Sequence, residues 1–183
     1  VDMSHSKLAA QFAVALFDQT SGSLLQWGPL EREALWSAAI LHNSGHFVSH
    51  ASHHKHSYYL ICHGELLGFT NAEIELIANI ARYHRKSSPK LKHDPFKALT
   101  KENRKIVSQL SAILRVAVGL DRRRLGAIAR FQTTYDPKAR TLTLNFTPSH
   151  TDDSCELEIW SLNTKKACFE QEFDVILVAH AVR

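Results

Sequence analysis

Apolar residues recur at helical spacing through Leu8, Ala9, Phe12, Leu16 and Phe17, which predicts a helix from His5 that ends near Thr20-Ser21-Gly22. A second runs from Pro29-Leu30 through Leu35, Trp36, Ala39 and Ile40 to His42. Asn43-Ser44-Gly45 supplies its stop, and proline in the first turn with glycine beyond the end is the usual asymmetry of helix termini. His53 to Cys62 reads as a short third helix. Thr70-Asn71-Ala72-Glu73 is a capping-box pattern that opens a fourth, carrying Ile74, Ile77, Ile80 and Ala81 into the basic run Arg82-Tyr83-His84-Arg85-Lys86. A polar stretch with Pro89 and Pro95 precedes a long helix from about Thr100 through Ile106, Leu110, Ile113, Leu114 and Ala117 to Asp121.

After Gly126 the period changes from helical to alternating. Phe131 to Tyr135, a turn at Asp136-Pro137-Lys138, and Leu142, Leu144 and Phe146 in alternation predict a β-hairpin. Asp153, with Glu156 three residues on, predicts the cap of a helix bearing Leu157, Trp160 and Leu162, and Val175 to Ala179 a closing strand. The expected class is α+β: a mainly α-helical region over 1–124 and a small ββαβ region over 125–183. The second part has too few residues to bury a core of its own and is expected to pack on the first.

Charge divides the chain at the same place. Residues 1–130 carry seventeen Lys/Arg against ten Asp/Glu, and residues 131–183 five against eight. The helical part is therefore the basic one, and its field favours anionic partners: phosphate, polyphosphate, nucleotides or nucleic acid. Cys62, Cys155 and Cys168 are odd in number and lack CxxC spacing, which argues against a disulfide framework or a thiolate zinc site and for a reducing cytoplasm. No apolar run reaches the ~18 residues of a membrane span, so a soluble protein with no membrane partner is expected. The chain opens at Val1 and enters an amphipathic segment almost at once, as a piece excised from a longer protein would; a tag remnant gives the same start.

Seven of the twelve histidines fall between His42 and His63. In chain order His5, His42-Asn43, His56, His84 and Asp121 resemble the HD superfamily of metal phosphohydrolases, with an HD-like pocket of His5, His42, Asn43, His56, His84 and Asp121. A metal that activates water needs neutral imidazoles and carboxylates converging from separate elements. His5, His42 and Asp121 are the candidate ligands. Asn43 stands where the pattern has an aspartate, and its amide oxygen is a neutral, weaker ligand, which weakens the case for a divalent metal.

The resemblance narrows around Leu41-His42-Asn43-Ser44-Gly45, Ser52-His53-His54-Lys55-His56-Ser57-Tyr58-Tyr59-Leu60, Gly68-Phe69-Thr70, Arg82-Tyr83-His84-Arg85-Lys86 and Leu114-Arg115-Val116-Ala117-Val118-Gly119-Leu120-Asp121. Together these are similar to the C-terminal, HD-like region of the exopolyphosphatase and guanosine pentaphosphate phosphatase (Ppx/GppA) family. That resemblance implies a parent that hydrolyses phosphoanhydrides in an N-terminal actin-like ATPase fold using Mg²⁺. The Gly-rich phosphate loops of that fold are absent from this sequence. The implied role is a regulatory, polyphosphate-holding and dimerising region, inactive on its own, with no cofactor of its own and with polyphosphate or guanosine pentaphosphate, the N-terminal catalytic domain and a second copy as partners.

Within that frame Lys55, His56, Arg82, Arg85 and Lys86 are the expected phosphate contacts, although basic residues at a helix C-terminus also favour the helix dipole with no ligand at all. Arg122, Arg123 and Arg124 fit a solvated helix end, an anion contact or a socket for another domain equally well. His63, His93, His150 and His180 receive no role, Cys62 reads as a buried structural thiol, and Tyr58 and Tyr59 as packing residues. Trp36 and Trp160 sit at helical core spacing, which leaves nucleic acid without exposed stacking aromatics. A degenerate HD hydrolase holding one metal, and a purely structural dimerisation unit, are the competing readings.

Overall fold

The computed structural model describes residues 2–182. Asp2 starts the first helix, α1 (Met3–Thr20), by accepting the His5 amide at 3.1 Å on its carboxylate. Pro29 in the first turn, and a Glu31 carboxylate that accepts Gly28 N at 3.0 Å, start α2 (Pro29–Leu41). Ala9, Ala10 and Ala13 of α1 and Ala34, Ala38 and Ala39 of α2 are all buried. These small side chains let the two backbones lie close.

Asn43-Ser44-Gly45 follow the end of α2 as expected, and the chain continues there into a 3-10 turn, Ser44–Phe47. Then follow α3 (His53–His63), α4 (Asn71–Arg82), a one-turn α5 (Asp94–Lys97) inside the polar stretch of Pro89 and Pro95, and α6 (Lys101–Gly119). Thr70 caps α4 through its hydroxyl, which accepts Glu73 N at 3.2 Å, and Thr100 caps α6 by accepting Asn103 N at 3.1 Å. The α4 helix ends at Arg82, so Tyr83 to Lys86 belong to the loop beyond it. Ile106, Val107, Leu110, Ile113, Leu114, Val116 and Ala117 of α6 are buried, and the helix packs against α1, α2 and α4 as well as the C-terminal helices.

The sheet has strands β1 (Ile128–Asp136), β2 (Thr141–Pro148) and β3 (Ile176–Ala181) in the order β1-β2-β3. The first pair is an antiparallel hairpin, closed by the Asp136 carboxylate accepting Lys138 N at 3.0 Å. β3 runs parallel to β2, so the chain has to cross over between them. Two helices make that crossover, α7 (Glu156–Lys165) and α8 (Ala167–Phe173), giving ββααβ where one helix was expected. Phe131, Leu142, Leu144, Phe146, Leu162, Phe169 and Leu177 share one continuous hydrophobic cluster with α1 and α6.

The expected Asp153 cap of α7 is not made. Asp153 accepts the Cys155 amide at 2.8 Å and Arg123 Nη2 at 2.8 Å, and the cap position falls on Cys155 in left-handed conformation. Arg123 also reaches the fully buried Glu158 through Nε and Nη2 at 2.7 and 3.0 Å. The guanidinium thus ties the end of α6 to the start of α7. Arg123→Ala strands a carboxylate in the interior, and such a loss costs about 3–5 kcal/mol. Urea unfolding should show that loss in the midpoint, while a shift below about 1 kcal/mol would mean that Glu158 reaches water.

Trp36 and Trp160 are not core residues: they are 38% and 55% exposed. Arg122 lies over the Trp160 ring at 5.9 Å, within cation–π range. Tyr59, expected to pack, is 60% exposed, while Tyr58 is half-buried and its hydroxyl donates to Glu75 at 2.8 Å. The Leu157 side chain faces solvent and Leu162 carries the burial of α7.

Candidate functional site: a histidine cluster beneath a basic surface

Four separate elements bring histidines together in the interior. His5 comes from α1, His42 from the end of α2, His53 from the start of α3 and His84 from the loop after α4, and all four are buried. Ring centroids of His5 and His42 are 5.7 Å apart, those of His42 and His84 4.8 Å, and those of His53 and His84 5.1 Å. Asp121, buried just past α6, joins them through a 2.8 Å contact from Oδ2 to His5 Nδ1, and its Oδ1 accepts Gly126 N at 3.1 Å.

The hydrogen bonds fix most of the protons. Arg85 Nη1 lies 2.7 Å from His53 Nδ1, and because a guanidinium only donates, that nitrogen accepts. His53 Nδ1 is also 3.2 Å from the His50 carbonyl oxygen, but a nitrogen that accepts from arginine carries no proton to offer there. The proton of His53 therefore sits on Nε2 and points to His84 Nε2 at 3.1 Å. His84 donates from Nδ1 to the Ala81 carbonyl at 2.6 Å, which leaves its Nε2 free to accept. His42 likewise donates from Nδ1 to the Ala39 carbonyl.

The rings of His42, His53 and His84 are neutral near pH 7. Burial pushes His42 from its ordinary 6.5 down to about 3, against a smaller opposing pull from the Ala39 carbonyl. It likewise lowers His53 to about 4, and it holds the wholly enclosed His84 well below its ordinary value with help from His42. Two ring nitrogens remain unmatched: His5 Nε2 and His42 Nε2 are buried without a hydrogen-bond partner.

Asn43 is buried beside them and starts the 3-10 turn, its carbonyl oxygen accepting His46 N at 3.0 Å. His56 is half-buried and makes none of the ring contacts described, so His53 stands in the cluster where the sequence order pointed to His56. His53 and Ser57 are one helical turn apart on the same face of α3. The Ser57 hydroxyl donates to the His42 carbonyl at 2.7 Å and accepts Gly45 N at 2.8 Å, which turns that face inward.

His5, His42 and Asp121 do not converge on one point as the structure places them. They do not offer one donor atom each within 4.8 Å of one another. The Asp121 carboxylate is occupied by His5 and by the Gly126 amide, and Asn43 brings no charge. The trio is a hydrogen-bonded pair beside a neutral histidine.

The basic residues collect around a side chain that sequence order did not single out. His54 is buried, its Nδ1 has no partner, and it is lowered to about 4, first by burial and then by the positive charges of Arg85, Lys55, Arg82 and Lys86. Lys55 and Lys86 are exposed, Arg82 and Arg85 half-buried. Arg82 stacks over Tyr83 at 5.3 Å. Among the described residues none of the four forms an ion pair with a carboxylate, whereas Arg123, Arg124 and Arg140 each do.

Arg115 holds the loop that displays them. From α6 its guanidinium donates to the carbonyls of Tyr83 at 2.8 Å, Lys86 at 2.8 Å and Ser87 at 3.1 Å. Lys86 takes a left-handed backbone conformation in that loop, φ +62°. Sequence reasoning met Arg115 only as part of a motif, since nothing local to it announces a contact some thirty residues away. Arg124 reaches Asp2 at 3.4 Å, so with Arg122 over Trp160 and Arg123 on Glu158 each of the three adjacent arginines has an internal partner.

Cys62 has burial and the Glu75 carboxylate against its ionisation, which lifts the thiol to about 11 and suits a structural role better than a nucleophile. No helix among the described residues is long and apolar enough to cross a membrane.

A helical layer encloses a buried cluster of four histidines and one aspartate, and four cations unpaired with any carboxylate among the described residues gather around His54. The sequence matches the family model described as Ppx/GppA phosphatase, domain III, over residues 1–166, and the chain belongs to that family. Among its relatives, the guanosine-5'-triphosphate,3'-diphosphate pyrophosphatase of Pseudoalteromonas atlantica is 30% identical over 125 residues, 68% of this chain and 24% of the relative. That of Vibrio atlanticus is 30% identical over 146 residues, 79% of this chain and 28% of the relative. That of Aeromonas hydrophila is 28% identical over 145 residues, 79% and 29%. The chain thus spans about a quarter of the length of these curated relatives.

Proposed function

We propose that this chain is the polyphosphate-holding, regulatory and dimerising region of a Ppx/GppA protein whose Mg²⁺-dependent hydrolysis is carried out in an N-terminal catalytic domain. The observation that carries this reading is the set of Lys55, Arg82, Arg85 and Lys86 around buried His54 with no carboxylate paired to any of them among the described residues. Cations left uncompensated in this way attract a polyanion, and several in one area can pass it along without gripping any one phosphate. The names of the relatives, which act on a guanosine phosphate carrying five phosphoryl groups in all, support a substrate of the same charge class.

The histidine cluster serves as the floor of this surface. Arg85 is anchored on His53 and the loop of His84 to Lys86 is held by Arg115, so the cations are set in place before a ligand arrives, which lowers the ordering cost of binding. Calorimetric titration of polyphosphate into the chain at rising salt tests the proposal. Binding should be measurable at low ionic strength, weaken steadily with salt as counterions compete, and release no phosphate. Absence of binding at low salt would refute it. Phosphate release that disappears in Asp121→Asn would favour the hydrolase reading.

A further inference from the structure

The geometry points to a second site, a surface binding site for a borderline divalent metal such as Zn²⁺ made by His46, His50 and His53. Each offers a ring nitrogen, and the three donor atoms lie within 4.8 Å of one another; they are the one group of three or more ligating side chains that close together among the described residues. The rings already face one another. His46 and His53 stack with centroids 3.9 Å apart, His46 and His50 lie 5.2 Å apart, and His50 and His53 5.6 Å.

Chain geometry explains the convergence. His46 is on the 3-10 turn, His50 in the bend beyond it, and His53 at the first position of α3, so one reversal of the backbone presents three imidazoles to the same point. Gly45 lets that reversal seat directly on the α3 backbone. The site is half rigid and half adjustable. His53 is buried and held by its neighbours, whereas His46 is half-buried, His50 exposed, and neither ring makes a hydrogen bond among the described residues.

In a tetrahedral site with metal–nitrogen bonds of ~2.0–2.1 Å, the nitrogens stand roughly 3.3 Å apart. Closing the present spacing by up to about 1.5 Å asks only for rotation of the two surface rings. His53 binds through Nδ1, since its Nε2 faces buried His84, and Arg85 gives up that nitrogen on loading. Three imidazoles with no carboxylate select Zn²⁺, Co²⁺, Ni²⁺ or Cu²⁺ over Mg²⁺ or Ca²⁺, which prefer oxygen. A fourth position stays open to water or to an anion.

The site does not depend on polyphosphate binding, so it is tested in the absence of any phosphate. Chain stripped with chelator is titrated with Co²⁺ followed by visible absorption, and with Zn²⁺ by calorimetry. One Co²⁺ per chain is expected, with the intense visible bands of four-coordinate nitrogen ligation, displaced by Zn²⁺ and unaffected by Mg²⁺. His50→Ala, at an exposed ring, and His46→Ala, at a half-buried one, should each weaken binding by at least about tenfold, the size that losses of mere supporting contacts already reach. Exposed His63→Ala should leave it unchanged. No Co²⁺ bands, or bands and affinity that persist in both His46→Ala and His50→Ala, would overturn the assignment.

Discussion

Lowering the pH from 7 to 4.5 should unfold this protein. His42, His53 and His54 sit at about 3, 4 and 4 in the fold, and His84 well below 6.5, each with burial as the main cause. In the unfolded chain the same rings titrate near ~6.5. Between those values the unfolded state binds more protons than the folded one, so stability is complete above about pH 6.5 and is lost as pH falls. At pH 5 His42, His53 and His54 each remove about 2 kcal/mol, on the order of 6 kcal/mol together, and His84 acts in the same direction. That is comparable with the whole stability of an ordinary domain, about 5–15 kcal/mol. Circular dichroism against pH, with chelator present so that bound metal does not mask the effect, should show a cooperative loss of helix centred between about pH 4 and 5.5. Unchanged urea midpoints from pH 7.5 to 4.5 would show that the histidines titrate as if in water.

Gly45→Ala should be the most damaging single methyl group in the chain. A Cβ there would fall on the His53 carbonyl oxygen, 2.5 Å from Ser57 N and 2.8 Å from Ser57 Oγ. The first two are backbone atoms of α3, so no side chain can swing aside, and relief requires the 3-10 turn to lift off the helix. Lifting it breaks the Gly45 N to Ser57 hydroxyl bond and loosens the Ser57 hydroxyl from the His42 carbonyl. Overpacking of this kind costs about 3 kcal/mol or more, a fall in Tm of roughly 10 °C at this chain length. Gly28→Ala is the control, because its nearest atom would be Glu31 Oε2 at 3.6 Å. Equal melting temperatures for the two variants would contradict the close contact.

The same glycine shows where the sequence stopped being legible. Its position after a helical run reads as a local stop signal, yet the space it leaves is needed by a helix eight residues further on. All six expected helices and the hairpin are present, and in α4 and α6 the start is written locally by a capping threonine beside the apolar period. Failures came where a partner lies far along the chain. Asp153 has the residue type and spacing of a cap, but Arg123 and the Cys155 amide take its carboxylate. Trp36 and Trp160 have core spacing and face solvent, because periodicity gives the faces of a helix without saying which one is inside.

At the site, the order of histidines led to His5, His42, His84 and Asp121, which lie together. The choice among His53, His54 and His56 was not available from order. It depends on the rotation of α3, and that is set by Ser57 locking onto Gly45 and His42. With this rotation His53 enters the cluster and His54 lies beneath the cations. Arg115 has no local signature, whereas His46, His50 and His53 stand within one stretch of eight residues, a spacing the sequence reading passed over.

The most direct test of the central claim compares polyphosphate affinity in two charge-matched double variants at low salt. Lys55→Gln with Lys86→Gln removes two exposed cations from the proposed surface, and Lys101→Gln with Lys138→Gln removes two exposed cations elsewhere. If Lys55 and Lys86 hold the polyanion, the first pair should weaken binding roughly tenfold, about 0.7 kcal/mol per lysine, and flatten its salt dependence, while the second should stay close to wild type. Equal losses from both pairs would mean that only net charge matters, and would contradict a site at Lys55, Arg82, Arg85 and Lys86.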